Sequence, residues 1–248
     1  MALYTPNQKE PFPFSRSKIA LFIECPRCLY LEVRLGVRRP EGPGFAINAA
    51  VDTLLKREFD RYREAGKPHP YMTKAGINAV PAQHRKLNEW RSTRQGVSYV
   101  HPESNFRVYG AIDDLWEDEG GRFLVPDYKA TAKKDPVISL DQPWHAAYKR
   151  QLEVYQWLLR QNEELVSDTG YFVYCRGRSE LDKFNSRVEF EVTIIPHEGN
   201  DDWVDFALIA ARSCLDADRL PKAGEDCKYC GYREAANKAS RGKIAAKK

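Results

Sequence analysis

This 248-residue chain has no apolar run near the roughly 18 residues that a membrane span needs. Its opening residues, MALYTPNQKEPF, lack the charged-then-apolar layout of a secretory signal. Neither sign of charge dominates. The 39 Lys and Arg against 35 Asp and Glu leave a net charge of +4, which permits a nucleic-acid partner without requiring one. No internal repeat is visible, so repeat architectures are set aside. These absences lead us to expect a soluble, cytoplasmic protein with no membrane partner. A chain of this length can bury a core, as one domain carrying an added lobe.

Six cysteines are present, and in a cytosolic chain they argue for metal or packing rather than disulfides. Cys25-x-x-Cys28 and Cys227-x-x-Cys230 form two knuckles at opposite ends of the sequence. Four thiolates from two knuckles can build a tetrahedral metal site or hold an iron-sulfur cluster. The spacing by itself leans to Zn²⁺. Either metal would close a very long loop, so its loss should loosen the fold. Cys175, in an expected strand, and Cys214, in an expected helix, read as core residues.

The chemistry is expected between Gly110 and Lys129. Val108, Ile112 and Leu115 mark a first strand, Glu119-Gly120-Gly121 a turn, and Phe123 to Tyr128 a second strand. Strand alternation puts Asp127 and Lys129 on one face and Tyr128 on the other. If pairing sets Asp113 beside Asp127, the two carboxylates offer oxygen ligands suited to Mg²⁺ or Mn²⁺. Solvated acids on an exposed hairpin are the plainer alternative.

Around this hairpin the periodicity gives a helix from Ser15, a short one after Cys28, and an amphipathic one over 45–65 with Val51, Leu54, Leu55, Phe59 and Tyr62 on its core stripe. Tyr148 to Leu159 forms another helix, with Gln151 and Tyr155 one turn apart. Strands follow at 171–175 and 188–195, and a last helix at 202–217. That order predicts an α/β fold, a mixed sheet flanked by helices. The expected organisation is an N-terminal cysteine segment (1–44), a core (45–220), a second cysteine segment (221–234) and a basic, disordered tail (235–248).

Gly110-x-x-Asp113, Asp127-x-Lys129 and Gln151-x-x-x-Tyr155, in that order, resemble the RecB-like branch of the PD-(D/E)XK nuclease superfamily. The resemblance implies a restriction-endonuclease-like core and a metal-dependent deoxyribonuclease, an exonuclease on single strands or DNA ends. It makes Asp113 and Asp127 metal ligands and catalytic residues, Lys129 catalytic, and Gln151 and Tyr155 substrate-positioning. The neighbouring Pro126-Asp127 pair is not the family's "PD", whose acid corresponds to Asp113. With the cysteines included, the likeness is closest to iron-sulfur nucleases related to the CRISPR-associated adaptation nuclease and the AddB subunit. A 4Fe-4S cluster on Cys25, Cys28, Cys227 and Cys230 is therefore expected ahead of Zn²⁺, and a helicase or CRISPR adaptation partner is compatible.

The chain departs from that pattern in two places. A third C-terminal cysteine is missing, Ala235 and Ala236 standing in that region, and Cys28 restores the count to four. Where the family has a Gly-x-x-x-His ligand this chain has Gly44 and Asn48, so the expected Mg²⁺ or Mn²⁺ ligands are Asp113, Asp127, Tyr128 and Asn48, with Asp52 one turn further on. The five histidines are expected in loops or at the surface. A catalytically weak DNA-binding module of the same fold, or a zinc-stapled structural protein, remain as alternatives.

Overall fold

The computed structural model describes residues 3–40, 42 and 46–245, without side chains at 46 and beyond 241. In chain order the elements are β1 (Phe12–Ser15), α1 (Arg16–Glu24), α2 (Pro26–Val33), α3 (Ala46–Ala65), α4 (Pro70–Lys74), β2 (Ala79–Pro81), α5 (Leu87–Trp90), β3 (Val97–His101), β4 (Phe106–Gly110), β5 (Trp116–Asp118), β6 (Phe123–Leu124), β7 (Pro126–Thr131), α6 (His145–Gln161), β8 (Thr169–Gly177), β9 (Phe190–Glu198), α7 (Trp203–Asp216) and α8 (Lys228–Ala245). They divide into two compact units, one of residues 1–42, 100–107 and 205–248, the other of 43–99 and 108–204.

The second unit is a mixed α/β fold with a restriction-endonuclease-like core. β7 pairs with β8 in parallel, Asp127 opposite Phe172 and Lys129 opposite Tyr174, and β8 pairs with β9 antiparallel. A parallel pair cannot be closed by a tight turn, and α6 supplies the crossover. Leu152, Val154, Tyr155, Trp157, Leu158 and Leu159 are all buried on that helix. It lies so close to the sheet that a Cβ at Gly170 would stand 2.5 Å from a Leu152 methyl. On α3 the apolar stripe becomes Leu55 and Phe59, packed with Trp116, Tyr128 and Val173. Phe59 is fully buried, its ring stacked 4.2 Å from His69 and 5.5 Å from Trp116.

The expected single hairpin divides. β5 and β6 form the turn-linked pair, Trp116 opposite Leu124, but β7 leaves for β8 instead of pairing with a strand through Asp113. Asp113 therefore sits in the non-strand segment 111–115 between β4 and β5. Asp113 and Asp114 have separate partners there, the Tyr128 main-chain N–H for the first and the Tyr128 phenol for the second.

In the first unit the rings of Phe14 and Phe106 stack at 4.3 Å, with Tyr4 and Phe12 edge-on around Phe106. Cys25 separates α1 from α2, whose first residue is Pro26, a position where the missing N–H costs nothing. The segment expected to be a disordered tail is helical as far as Ala245. Ala235, Ala236, Ala239, Lys238 and Arg241 are good helix formers, and that local preference outweighs the segment's low hydrophobicity.

Candidate active site

Asp127 is completely buried on β7 and is held from two sides. Its Oδ1 accepts a hydrogen bond from Gln151 Nε2 at 2.8 Å, and Gln151 also donates to Tyr155 Oη at 3.3 Å. Its Oδ2 forms an ion pair with Lys129 Nζ. Apart from that ion pair, Oδ2 has no partner among the described residues. Lys129 Nζ also lies 4.9 Å from the centre of the Tyr148 ring.

Asp113 reaches the same place from its loop. Its Oδ2 accepts the Tyr128 main-chain N–H at 2.7 Å, which pins it beside the residue that follows Asp127. Its Oδ1 lies 3.9 Å from Lys56 Nζ, and Lys56 holds Asp52 at 2.9 Å one turn back on α3. Asn48 precedes Asp52 by one turn, so helical spacing puts 48, 52 and 56 on one face.

The charges decide the states of these groups. Asp113 is hemmed in by heavy atoms, although 24% of its side chain meets solvent. Burial, and after it the charge of Asp127, push its pKa up to about 7 against the pull of Lys129 and Lys56. For Lys129 burial works the other way, yet Asp127 and Asp113 outweigh it and raise its pKa. Lys129 thus remains an ammonium and has no free pair with which to act as a base.

Asp114, next in sequence, does a different job. It is wholly buried, with Oδ1 facing the guanidinium groups of Arg63 and Arg91 and accepting the Leu115 N–H. Its Oδ2 accepts from Tyr128 Oη at 2.8 Å. The phenol of Tyr128 is therefore committed to the opposite face, and only its main-chain carbonyl is left for a metal. Removing one member of such a buried set typically costs about 3–5 kcal/mol.

Asp113, Asp127, Lys129, Gln151 and Tyr155 thus meet in one site, with Tyr155 itself buried. Lys56 and Tyr148 were not anticipated. Each had a signal in helical spacing, Lys56 two turns after Asn48 and Tyr148 one turn before Gln151. His101, buried in β3, and His145, buried at the start of α6, correct the expectation of loop or surface positions, while His69 is buried but does lie in the loop before α4. His69 caps α4 by accepting from the Tyr71 N–H and pairs with Glu58.

The four cysteines cluster in the first unit, every Sγ within 4.8 Å of the others. Three edges measure 3.6 Å (Cys28–Cys227), 3.7 Å (Cys28–Cys230) and 3.8 Å (Cys25–Cys230). Sulfurs bound to one ion at about 2.3 Å in a tetrahedron stand about 3.8 Å apart. The Gly224 N–H donates to Cys25 Sγ at 3.2 Å, an approach that leaves no room for a Cβ, which would collide with the Glu24 carbonyl oxygen. Although burial pushes the Cys25 thiol up, the N–H groups of Gly224 and Cys28 bring it down to about 7. Arg39 Nη2 adds a donor to Cys227 Sγ at 3.4 Å. Four buried thiols with donors directed at their sulfurs form a site that could bind a metal ion.

This chain belongs to the PD-(D/E)XK nuclease superfamily, whose family model matches residues 44–235. The superfamily consists in general of nucleases, and these usually use divalent metals. No curated protein matches the chain. Among solved structures, one titled "Crystal structure of SSO0001" covers 90% of this chain and 85% of its own, at 16% identity and a TM-score of 0.39. No helix among the described residues is long and apolar enough to cross a membrane.

Proposed function

We propose that the second unit is a divalent-metal-dependent deoxyribonuclease of the RecB-like kind, an exonuclease acting on single strands or DNA ends, with Asp113 and Asp127 as the metal ligands and Lys129 as the catalytic cation. One observation carries this reading. Two carboxylates from separate segments converge, one of them wholly buried and its Oδ2 touched, among the described residues, only by a lysine that stays charged. The ligand atoms that Asp113 and Asp127 offer are carboxylate oxygens, which fit Mg²⁺ or Mn²⁺ and not a softer ion. Among the described residues no histidine or third acid completes a ligand set with them, and Mg²⁺ commonly takes one or two carboxylates with waters and substrate phosphate.

Such an ion supplies charge at a phosphate oxygen and lowers the pKa of a water near the phosphorus. The protein's own groups do the rest. Lys129 offers a fixed ammonium to the phosphate oxygen on which negative charge grows, and Tyr148 and Asp127 keep it in place. Gln151 fixes the rotamer of Asp127. Lys56 offsets part of the negative charge of Asp52 and Asp113. Asn48 leaves the helix face open where the family has an imidazole, a departure that favours weak binding of the ion by that face.

End-labelled single-stranded and duplex DNA, incubated with the purified protein and Mg²⁺ or Mn²⁺, should be shortened. Intact substrates with both metals would sink the reading and leave the weak-binding alternative. Gln151→Ala should lower kcat about 10- to 100-fold and raise the metal concentration needed for half-maximal rate, as loss of an orienting partner does elsewhere. A wild-type metal dependence would mean that Gln151 has no positioning role.

For the cysteines, we infer a single tetrahedral ion, Zn²⁺ in first place. The support is the set of sulfur edges. In a four-iron cluster each thiolate binds a different iron, and the sulfurs stand further apart than a tetrahedral edge. Elemental analysis should find about one zinc per chain in a colourless protein, while iron with sulfide and a brown colour would restore the cluster.

A further inference from the structure

Beside the four thiols the first unit has a cavity of about 570 Å³ that the metal sites do not account for. On one side it is lined by the strap that follows α2, through Val37 and Arg38, and on the other by the first turns of α8. The helix presents rings and cations in alternation. Lys228 and Tyr232 are one turn apart, and so are Tyr229 and Arg233. Tyr232 is 75% exposed, Val37 50% and Tyr229 41%, unusual exposure for apolar groups gathered around one cavity. No acidic residue lines it, and among the described residues no ion pair engages Arg38, Lys228 or Arg233.

We propose that this groove binds single-stranded nucleic acid, the tyrosine rings stacking on unpaired bases and Arg38, Lys228 and Arg233 meeting the phosphates. The ligand class rests on the nuclease reading above, but the choice of strand comes from the groove. Exposed ring faces and an apolar floor match base faces, which only an unpaired strand offers, and three cations beside them suit a charged backbone. An acidic peptide would satisfy the cations and leave the rings unused. The groove is also tied to the thiols. Arg39 donates to Cys227 Sγ, pairs with Glu24 at 2.8 Å and lies 4.5 Å above the Tyr229 ring, so the metal site fixes the floor of the groove.

The test is fluorescence anisotropy of a labelled oligothymidine with the full-length, metal-loaded protein, without added divalent ion so that nothing is cut. Tyr232→Ala should weaken binding about 5- to 10-fold, and Tyr232→Phe should bind as wild type does. Arg38→Ala combined with Arg233→Ala should weaken it about 10-fold at low salt and flatten the plot of log affinity against log salt by about 1.4, two phosphates at roughly 0.7 each. Titrations of these variants that superimpose on the wild type overturn the proposal. Equal losses on a matching duplex overturn it too, because stacking on unpaired bases would then play no part. A protein that binds through the groove but cuts no DNA keeps this inference and removes the nuclease reading. Arg38 and Arg233 variants that bind and cut normally do the reverse.

Discussion

Asp113→Asn is expected to abolish DNA cleavage and to raise the melting temperature of the metal-free protein. The two effects share one cause. In the folded chain the Asp113 carboxyl lies near Asp127 and is hemmed in by heavy atoms, and its pKa stands at about 7 instead of 3.8. Burial and the like charge therefore outweigh the attraction of Lys129 and Lys56. For an acid whose folded pKa lies above its unfolded one, the cost of ionisation starts to appear above the unfolded value and is complete above the folded one. At pH 8 the wild type bears that cost in full and the asparagine variant does not. Solvent reaches 24% of the side chain, so we discount the shift to about 1–3 kcal/mol. For a chain of this size each kcal/mol moves the melting point by about 2–4 °C.

Near pH 4 the two proteins should melt together. Adding Mg²⁺ or Mn²⁺ should reverse the order at pH 8, because a ligand stabilises only the form that binds it. Cleavage should fall at least about 10³-fold, since metal charge at the phosphate is worth several kcal/mol and each 1.36 is a factor of ten. Calorimetry at pH 4 and pH 8, with and without the ion, checks both halves. A variant that melts below the wild type at pH 8 without metal would show that Asp113 is a structural acid like Asp114. A variant that still cuts would remove it from the chemistry.

Much of this site is written in local spacing. The alternation of Asp127, Tyr128 and Lys129 fixes which side chains share a face, and the register against Phe172, Val173 and Tyr174 keeps to it. The four-residue step from Gln151 to Tyr155 becomes a direct hydrogen bond. Strand pairing is a long-range choice, and there local pattern fails. Phe123 to Tyr128 reads as one strand, but its first half pairs back across the turn and its second half joins β8, some forty residues ahead. Lys56 is hidden for the same reason. On a surface helix Asp52 and Lys56 are an ordinary ion pair, and only the arrival of Asp113 from another segment makes the lysine part of a site. Asp113 and Asp114 are indistinguishable by residue type. Their different roles come from Arg63 and Arg91, which no periodicity relates to residue 114.

The second large effect is expected from Cys227→Ser. Three thiolates and a hydroxyl are a poor set for the ion, and without it four buried polar groups face one another, supported among the described residues by Gly224, Cys28 and Arg39. Structural zinc in small domains contributes apparent free energies of about 10–16 kcal/mol at neutral pH. Even a third of that is a large share of the roughly 5–15 kcal/mol that holds a typical domain folded. The variant should lose its metal and melt more than about 10 °C lower in the transition of the first unit, which metal analysis and calorimetry will read. Gly224→Ala reaches the same end without touching a ligand, because its Cβ collides with the Glu24 carbonyl oxygen and must push Cys25 out of line. The carboxylates belong to the other unit, so folded molecules that survive should need the same Mg²⁺ or Mn²⁺ concentration for half-maximal cutting. If Cys227→Ser keeps a full equivalent of metal and melts with the wild type, the cysteines hold no structural ion. If its divalent-ion requirement also changes, the two metal sites are coupled, and the division of labour between stapling thiolates and catalytic carboxylates is wrong.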